Sequence, residues 1–234
     1  MTRGAKGAAA LSAIALIAVA GCTSGTSDEN DTKGGNAFTT REVTDGKTDF
    51  VVVTNPGDGP VLSYGADSGI ELLTEEVDGK KVAFKDMNAN GTLDTWEDWR
   101  ETAQDRAADL AQEMSVEQIA GLMLFSSHER SQADGLTDAQ KEYLKDSNLR
   151  NVLHAGASDT DATVKWANAM QAYTETLAAE GTPYVPVNFA SDPRSTAGSG
   201  GYNAEGADIS RWPSNLGLAA TFNTEHTKNF GEMS

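Results

Sequence analysis

The chain of 234 residues has a single cysteine, Cys22, and a shortage of positive charge. With no second cysteine it cannot close a disulfide, so its stability must come from a hydrophobic core or from a bound metal. Only 18 Lys and Arg stand against 35 Asp and Glu, which gives a net charge of −17. Because such a surface repels nucleic acid and anionic lipid head groups, we expect neither as a partner.

Several sequence patterns of catalytic and cofactor sites are also missing. The three histidines, His128, His154 and His226, lack the spacing of metal ligands, and we interpret them as structural or surface residues. No Gly-x-Ser-x-Gly motif is present, and the Gly-rich cluster 198–201 has neither the dinucleotide nor the P-loop spacing. These absences argue against serine hydrolases and nucleotide-dependent enzymes.

The apolar run near the start of the chain is too short to span a bilayer comfortably. It covers residues 8–20, follows the basic residues Arg3 and Lys6, and has the layout of a secretory signal. The run ends in Val-Ala-Gly-Cys, which resembles a bacterial lipobox, so we predict a signal over 1–21 and lipidation of Cys22. This hypothesis implies export and a lipid anchor on the outward face of the bacterial cell membrane. Residues 22–48, with few apolar side chains, are predicted to be a flexible tether.

Residues 49–85 are predicted to form a small β-rich lead-in. Short segments at 50–53, 61–62, 76–77 and 82–84 are typical of strands. Asp78-Gly79 predicts a hairpin turn between the last two. A segment of this size is too small to be a stable domain alone.

The stretch 86–97 matches the twelve-residue calcium loop of an EF-hand at its defining positions. Side-chain oxygens, one backbone carbonyl and a final glutamate at the start of a helix would surround the ion, and Gly91 permits the sharp bend. The alternative is an Asn-Asp-Gly turn on the surface. Calcium is the only cofactor we predict, with a structural role and none in catalysis. The predicted ligands are Asp86, Asn88, Asn90, Thr92, Asp94 and Glu97.

Helical spacing continues from Trp96 to Met114, and a capping box at Ser115 and Gln118 predicts a second helix. After a third short helix over 137–145, strand and helix patterns alternate. Strands are predicted at 151–155, 184–190 and 216–220, with a long helix over 160–180 and another helix from Asn223. This alternation predicts an α/β fold with a parallel sheet, either an open doubly wound sheet or a (β/α) barrel.

Asp192 follows the apolar strand predicted over 184–190. Ligands of such folds bind at the carboxyl ends of the strands, so this carboxylate is a candidate binding residue. Because Pro193 follows it, a turn-forming Asp-Pro pair is the alternative interpretation.

The succession of motifs resembles the amino-terminal part of glycoside hydrolase family 3. The family contains retaining β-glucosidases, β-xylosidases, exo-glucanases and β-N-acetylglucosaminidases, and its first domain is a (β/α) barrel or a variant of it. The resemblance extends from about Lys85 to Ser234. The stretches that carry it are 90–100, 114–123, 185–187, 192–194 and 212–222.

This resemblance implies that 98–234 begin a barrel domain that the chain does not complete. It implies that Asp192 binds hydroxyl groups of the terminal sugar of an oligosaccharide or of an aryl or alkyl β-glycoside. Many members have a His three residues after that Asp, where this chain has Ser195. The family's nucleophile and acid/base lie beyond Ser234, so we assign no catalytic residue here and expect no activity from this chain alone. The alternative function is a non-catalytic, calcium-stabilised surface lipoprotein that binds carbohydrate or another surface partner.

Overall fold

The computed structural model describes residues 35–127, 129, 132–154, 159–178, 182–191 and 212–233, all within one compact unit, Lys33–Ser234. Cys22, His128, Asp192 and Ser195 lie outside the described residues, and so do residues 22–34 of the predicted tether.

Two small antiparallel sheets form the lead-in. The strands β1 (Thr39–Thr44), β2 (Asp49–Thr54) and β3 (Val61–Gly65) pair in that order, while β4 (Glu71–Val77) pairs with β5 (Lys80–Asp86). The predicted turn between β4 and β5 is confirmed, since Asp78 and Gly79 have φ of 51° and 71°. The fully buried Asn55 joins the two sheets, because its amide bonds both the N–H and the C=O of Ala83 at 2.7 and 3.1 Å.

The prediction of a tether was wrong for residues 39–44, which form β1. The strand pairs along its whole length with β2, from Thr39 opposite Thr54 to Thr44 opposite Asp49. Most of its side chains are exposed, so it carries no apolar alternation that the sequence could reveal. Backbone hydrogen bonds to the more apolar β2 are sufficient to order it.

The helical spacing that begins at Trp96 does not mark the start of a helix. The helix α1 spans Ala103–Glu113, and turns occupy most of 95–101. Thr102 is its N-cap and accepts a hydrogen bond from the N–H of Asp105, so the helix starts at this cap. The next helix, α2 (Val116–Leu122), has the predicted capping box of Ser115 and Gln118.

The rest of the described chain contains the parallel pair. The helix α3 (Asp138–Asp146) leads to β6 (Asn151–His154), then α4 (Thr160–Glu175), then β7 (Asn188–Ser191). The strands β6 and β7 are parallel, and backbone bridges from Phe125 and Glu129 join the other edge of β6. A core between this sheet and the helices is formed by Leu144, Leu149, Val152, Trp166, Met170 and Val187.

The strand predicted over 184–190 is shorter than expected and begins at Asn188. The side-chain amide of Gln171 on α4 bonds both backbone groups of Val187 instead. It accepts from the N–H at 3.0 Å and donates to the C=O at 2.8 Å. A side chain therefore replaces the ladder partner just before β7, which a pattern of apolar residues cannot reveal.

The third predicted strand, 216–220, is a helix. It is α5 (Asn215–Ala220), and α6 (Thr224–Met233) follows it. The Ser214 hydroxyl caps α5 by accepting from the N–H of Gly217 at 3.1 Å. A short apolar run is compatible with a strand or with a helix, and here the N-cap at Ser214 favours the helix. In the described part of the chain, no helix has both the length and the apolar character needed to cross a membrane. The (β/α) barrel stays a prediction.

Candidate functional site

The carboxyl ends of the parallel strands meet at one edge of the sheet. In the register of β6 and β7, His154 lies opposite Ser191, and Glu129 forms a parallel bridge to His154 from the other side. Three segments therefore reach this edge together. In the sequence, Asp192 follows Ser191 directly.

His154 stands at the end of β6 and is half-buried. Its Nε2 lies 3.3 Å from Oγ1 of Thr163, and its ring is 6.0 Å from that of Trp166, both on α4. Burial lowers the pKa of the imidazole below its ordinary 6.5. Both contacts are with α4 and help to pack β6 against that helix, as expected of a structural residue.

Glu129 is a buried carboxylate that the sequence interpretation missed. Its Oε2 accepts from Nε2 of Gln140 at 2.7 Å, and Oε1 of Gln140 accepts from the indole of Trp166 at 3.1 Å. Burial first, and then the nearby Glu129 carboxylate, raise the pKa of Tyr143. The N–H of Glu129 also donates to the C=O of Leu153 at 3.0 Å, so the network is attached to β6 next to its carboxyl end. The surrounding stretch is polar and lacks periodicity, which gave no signal for a buried acid.

The acidic loop 86–97 closes on itself through its side-chain oxygens. Asp86 accepts from the N–H of Asn90 and of Gly91 at 3.2 and 2.9 Å, and Gly91 has a φ of 75° that favours glycine. Asn88 and Asn90 both donate from their amides to Oδ2 of Asp94 at 2.8 Å. The loop therefore adopts the tight bend that its sequence predicts.

Glu97 closes the loop from its last position. Its Oε1 accepts from the N–H of Met87 at 2.6 Å, and its Oε2 accepts from the N–H of Asp94 at 3.2 Å. Burial raises the pKa of Glu97 to about 7, and the carboxylates of Asp86 and Asp94 contribute to the rise. The prediction that Glu97 opens a helix was wrong, because it lies in a turn ahead of the cap at Thr102.

The loop brings together five of the six predicted metal ligands by their side chains. The sixth, Thr92, was predicted to use its carbonyl oxygen; its N–H belongs to the loop as well and donates to Oδ1 of Asn90 at 2.7 Å. Three carboxylates, two amides and one carbonyl are a donor set that Ca²⁺ takes, so the chemistry of the loop fits this ion. The oxygens are turned to loop N–H groups, and no cluster of three or more His, Cys, Asp or Glu suited to a metal occurs among the described residues.

The loop is attached at the amino end of the strand β7. The N–H of Tyr184, which precedes the strand, donates to the C=O of Met87 at 2.8 Å. Asp192 follows the opposite end of the same strand. The acidic loop and the carboxyl edge are therefore two separate sites.

Comparison with known proteins finds a similar glycosidase. No protein-family model matches the chain. A periplasmic beta-glucosidase/beta-xylosidase of Dickeya chrysanthemi is 30% identical to this chain over 174 residues, which cover 70% of this chain and 25% of that protein. The chain thus spans about a quarter of the length of this curated relative. It is similar to part of a glycosidase whose name states a periplasmic location.

Proposed function

We propose that the chain is the amino-terminal part of an exported, exo-acting, retaining β-glycosidase of glycoside hydrolase family 3. Asp192 binds hydroxyl groups of the non-reducing terminal sugar, and the nucleophile and acid/base come from elsewhere in the enzyme. The substrates are oligosaccharides or aryl and alkyl β-glycosides. The similarity to a beta-glucosidase/beta-xylosidase supports this class of reaction.

The parallel register of β6 and β7 is the observation that carries the proposal. It aligns His154 with Ser191, and Asp192 is the next residue of the chain after that edge. In parallel α/β folds, residues that follow the carboxyl ends of strands line the ligand site. A carboxylate at this position accepts hydrogen bonds from two neighbouring sugar hydroxyls.

We further propose that calcium binds the loop 86–97 in a structural role. The donor set supports this assignment, as does the tight bend at Gly91, whose φ is 75°. Because the loop joins the backbone before β7 through Tyr184, the ion would hold the lead-in against that strand. Its attachment at the amino end of β7 supports a structural role and not a catalytic one.

The role of Asp192 can be tested in the enzyme that carries this segment, with p-nitrophenyl β-glucoside and β-xyloside as substrates. Asp192→Asn removes the charged acceptor, and charged hydrogen bonds are worth roughly 1.5–3 kcal/mol each. If two such bonds tighten toward the transition state, kcat/KM falls by at least about a hundredfold.

Asp161→Asn is the matched control, because Asp161 is an exposed acid on α4. It should leave kcat/KM unchanged. An Asp192→Asn enzyme with unaltered kinetics would refute the assignment of Asp192. An unmodified enzyme that binds sugars without hydrolysing either substrate would favour the non-catalytic lipoprotein.

A further inference from the structure

A cavity of about 300 Å³ lies between the first lead-in sheet and α4, and the proposed function does not use it. The sheet and the helix touch at one end, where a Cβ on Gly65 would lie 3.0 Å from that of Ala172. Two hydrogen bonds join the lead-in to α4 at this cavity. The N–H of Gly65 donates to Glu175 at 2.6 Å, and the amide of Asn168 donates to Asp45 at 2.9 Å. This volume is at the lower end of the range for small-molecule sites.

One wall of the cavity is apolar. Val43, Phe50 and Val52 line it, and the register places Val43 and Gly65 opposite Phe50, and Ser63 opposite Val52. These residues share one face of the sheet, because facing residues on neighbouring strands point to the same side. Phe50 is only partly buried, so α4 leaves its ring available to a ligand.

The remaining walls offer hydrogen-bonding groups without partners. Within the described residues, the hydroxyl of Ser63 and the Oδ1 of Asn168 make no hydrogen bond, although both residues line the cavity. A purely apolar ligand would leave such groups desolvated and unpaired. Asp45 and Glu175 on the same walls would repel an anion.

We propose that this cavity binds a single neutral pyranose sugar. A pyranose has apolar ring faces, which suit Phe50 and Val52, and hydroxyl groups on its rim, which suit Ser63 and Asn168. The cavity lies on the side of α4 that meets the lead-in, whereas the buried Trp166 and Met170 of α4 face the parallel sheet. This site is therefore separate from the carboxyl edge and does not rest on the proposed catalytic function.

Binding can be measured on the 234-residue chain by protein-observed NMR during titration with D-glucose, D-xylose and D-mannitol. The two pyranoses should give saturable shifts at amides of β2, β3 and α4, with dissociation constants in the millimolar range expected of so small a ligand. Mannitol, an open-chain polyol without a ring face, should bind at least about fivefold more weakly.

Two variants locate the site. Val52→Phe fills the cavity and should abolish the shifts, while Val61→Phe, at an exposed position of β3 outside the cavity, should preserve them. Ser63→Ala removes one unpaired hydroxyl from an exposed position and should weaken binding, and this variant decides the question if Val52→Phe does not fold. Absence of saturation up to about 0.1 M sugar would show a cavity filled by water only. Shifts that survive Ser63→Ala and Val52→Phe unchanged would place sugar binding outside the cavity, and either result would overturn the proposal.

Discussion

Glu175 is the residue at which α4 meets the lead-in. Its Oε1 lies 2.8 Å from Nζ of Lys85, and both side chains are almost buried, with 4% and 13% exposed. Its Oε2 accepts from the N–H of Gly65, and Lys85 also donates to the C=O of Ser63 at 2.9 Å and lies over the ring of Tyr184. One carboxylate thus connects a helix, two strands and the segment before β7.

Glu175→Gln should destabilise the chain strongly, because it leaves the buried Lys85 ammonium without its counter-charge. Breaking one side of a buried ion pair costs about 3–5 kcal/mol, and urea denaturation would measure the loss. Asp161→Asn breaks the exposed pair with Lys165, which is 2.7 Å long, and should cost less than about 1 kcal/mol. Equal losses in the two variants would contradict the importance of the buried pair.

The lowered pKa of His154 predicts a loss of stability in mild acid. Below its ordinary pKa of 6.5 the unfolded chain binds a proton on this residue, while the folded chain keeps the buried imidazole neutral. The contribution of the neutral His154 to stability is complete above pH 6.5 and is lost as the pH falls through the lowered pKa of the folded chain. His154→Gln should flatten the dependence of unfolding free energy on pH just below 6.5.

The exposed His226 on α6 supplies the control for this measurement. His226→Gln should leave the pH dependence as it is in the unmodified chain. If His154→Gln and His226→Gln change the slope equally, the buried imidazole is not its source.

Among the elements, the loop 86–97 has the most directly testable behaviour. Calcium that binds the folded loop stabilises it by mass action, about 2.7 kcal/mol at a free concentration a hundred times Kd. Addition of calcium should therefore raise the melting temperature, and a chelator should reverse the rise. Asp86→Asn and Glu97→Gln each remove a proposed carboxylate ligand and should remove this response.

Glu76→Gln, on β4 outside the loop, is the charge-matched control and should keep the calcium response. Melting curves that coincide in calcium and in chelator would exclude binding by the loop. Melting that responds to calcium equally in Asp86→Asn and Glu76→Gln would assign the ion to another place.

Elements defined by local chemistry could be predicted from the sequence. Asp78-Gly79 determined the β4–β5 turn, and the capping box at Ser115 gave the start of α2, because both depend on residues within one turn. Elements that depend on distant partners could not be predicted. β1 is ordered by pairing with β2, and the strand β7 begins at Asn188 because Gln171 occupies the backbone before it.

The candidate sites follow the same division. The loop 86–97 is a local motif, so its bend and its internal hydrogen bonds follow from residue types at fixed spacing. Glu129 belongs to a network with Gln140 and Trp166, which are 11 and 37 positions later in the sequence. No pattern within one segment reveals a site assembled across such separations, and the same holds for the cavity beneath Phe50.

For the molecule as a whole, the anchor is the most direct prediction. If Cys22 carries a lipid, cells that make the protein should incorporate a labelled fatty acid into it, and the protein should sediment with membranes. Cys22→Ser should abolish the label and release the protein. An unmodified protein that takes up no label would exclude the anchor, whatever its activity.

The hydrogen bond between Gly65 and Glu175 joins residues 110 positions apart. A ribosome adding 5–20 residues per second needs roughly 5–20 s to make the chain between them. During that interval the nascent lead-in has no helix to cover Phe50 and Val52, so its sheet face stays exposed to other chains. The lead-in, although made first, therefore completes its packing only after α4 has been synthesised, and aggregation during synthesis should be most sensitive to substitutions on that face.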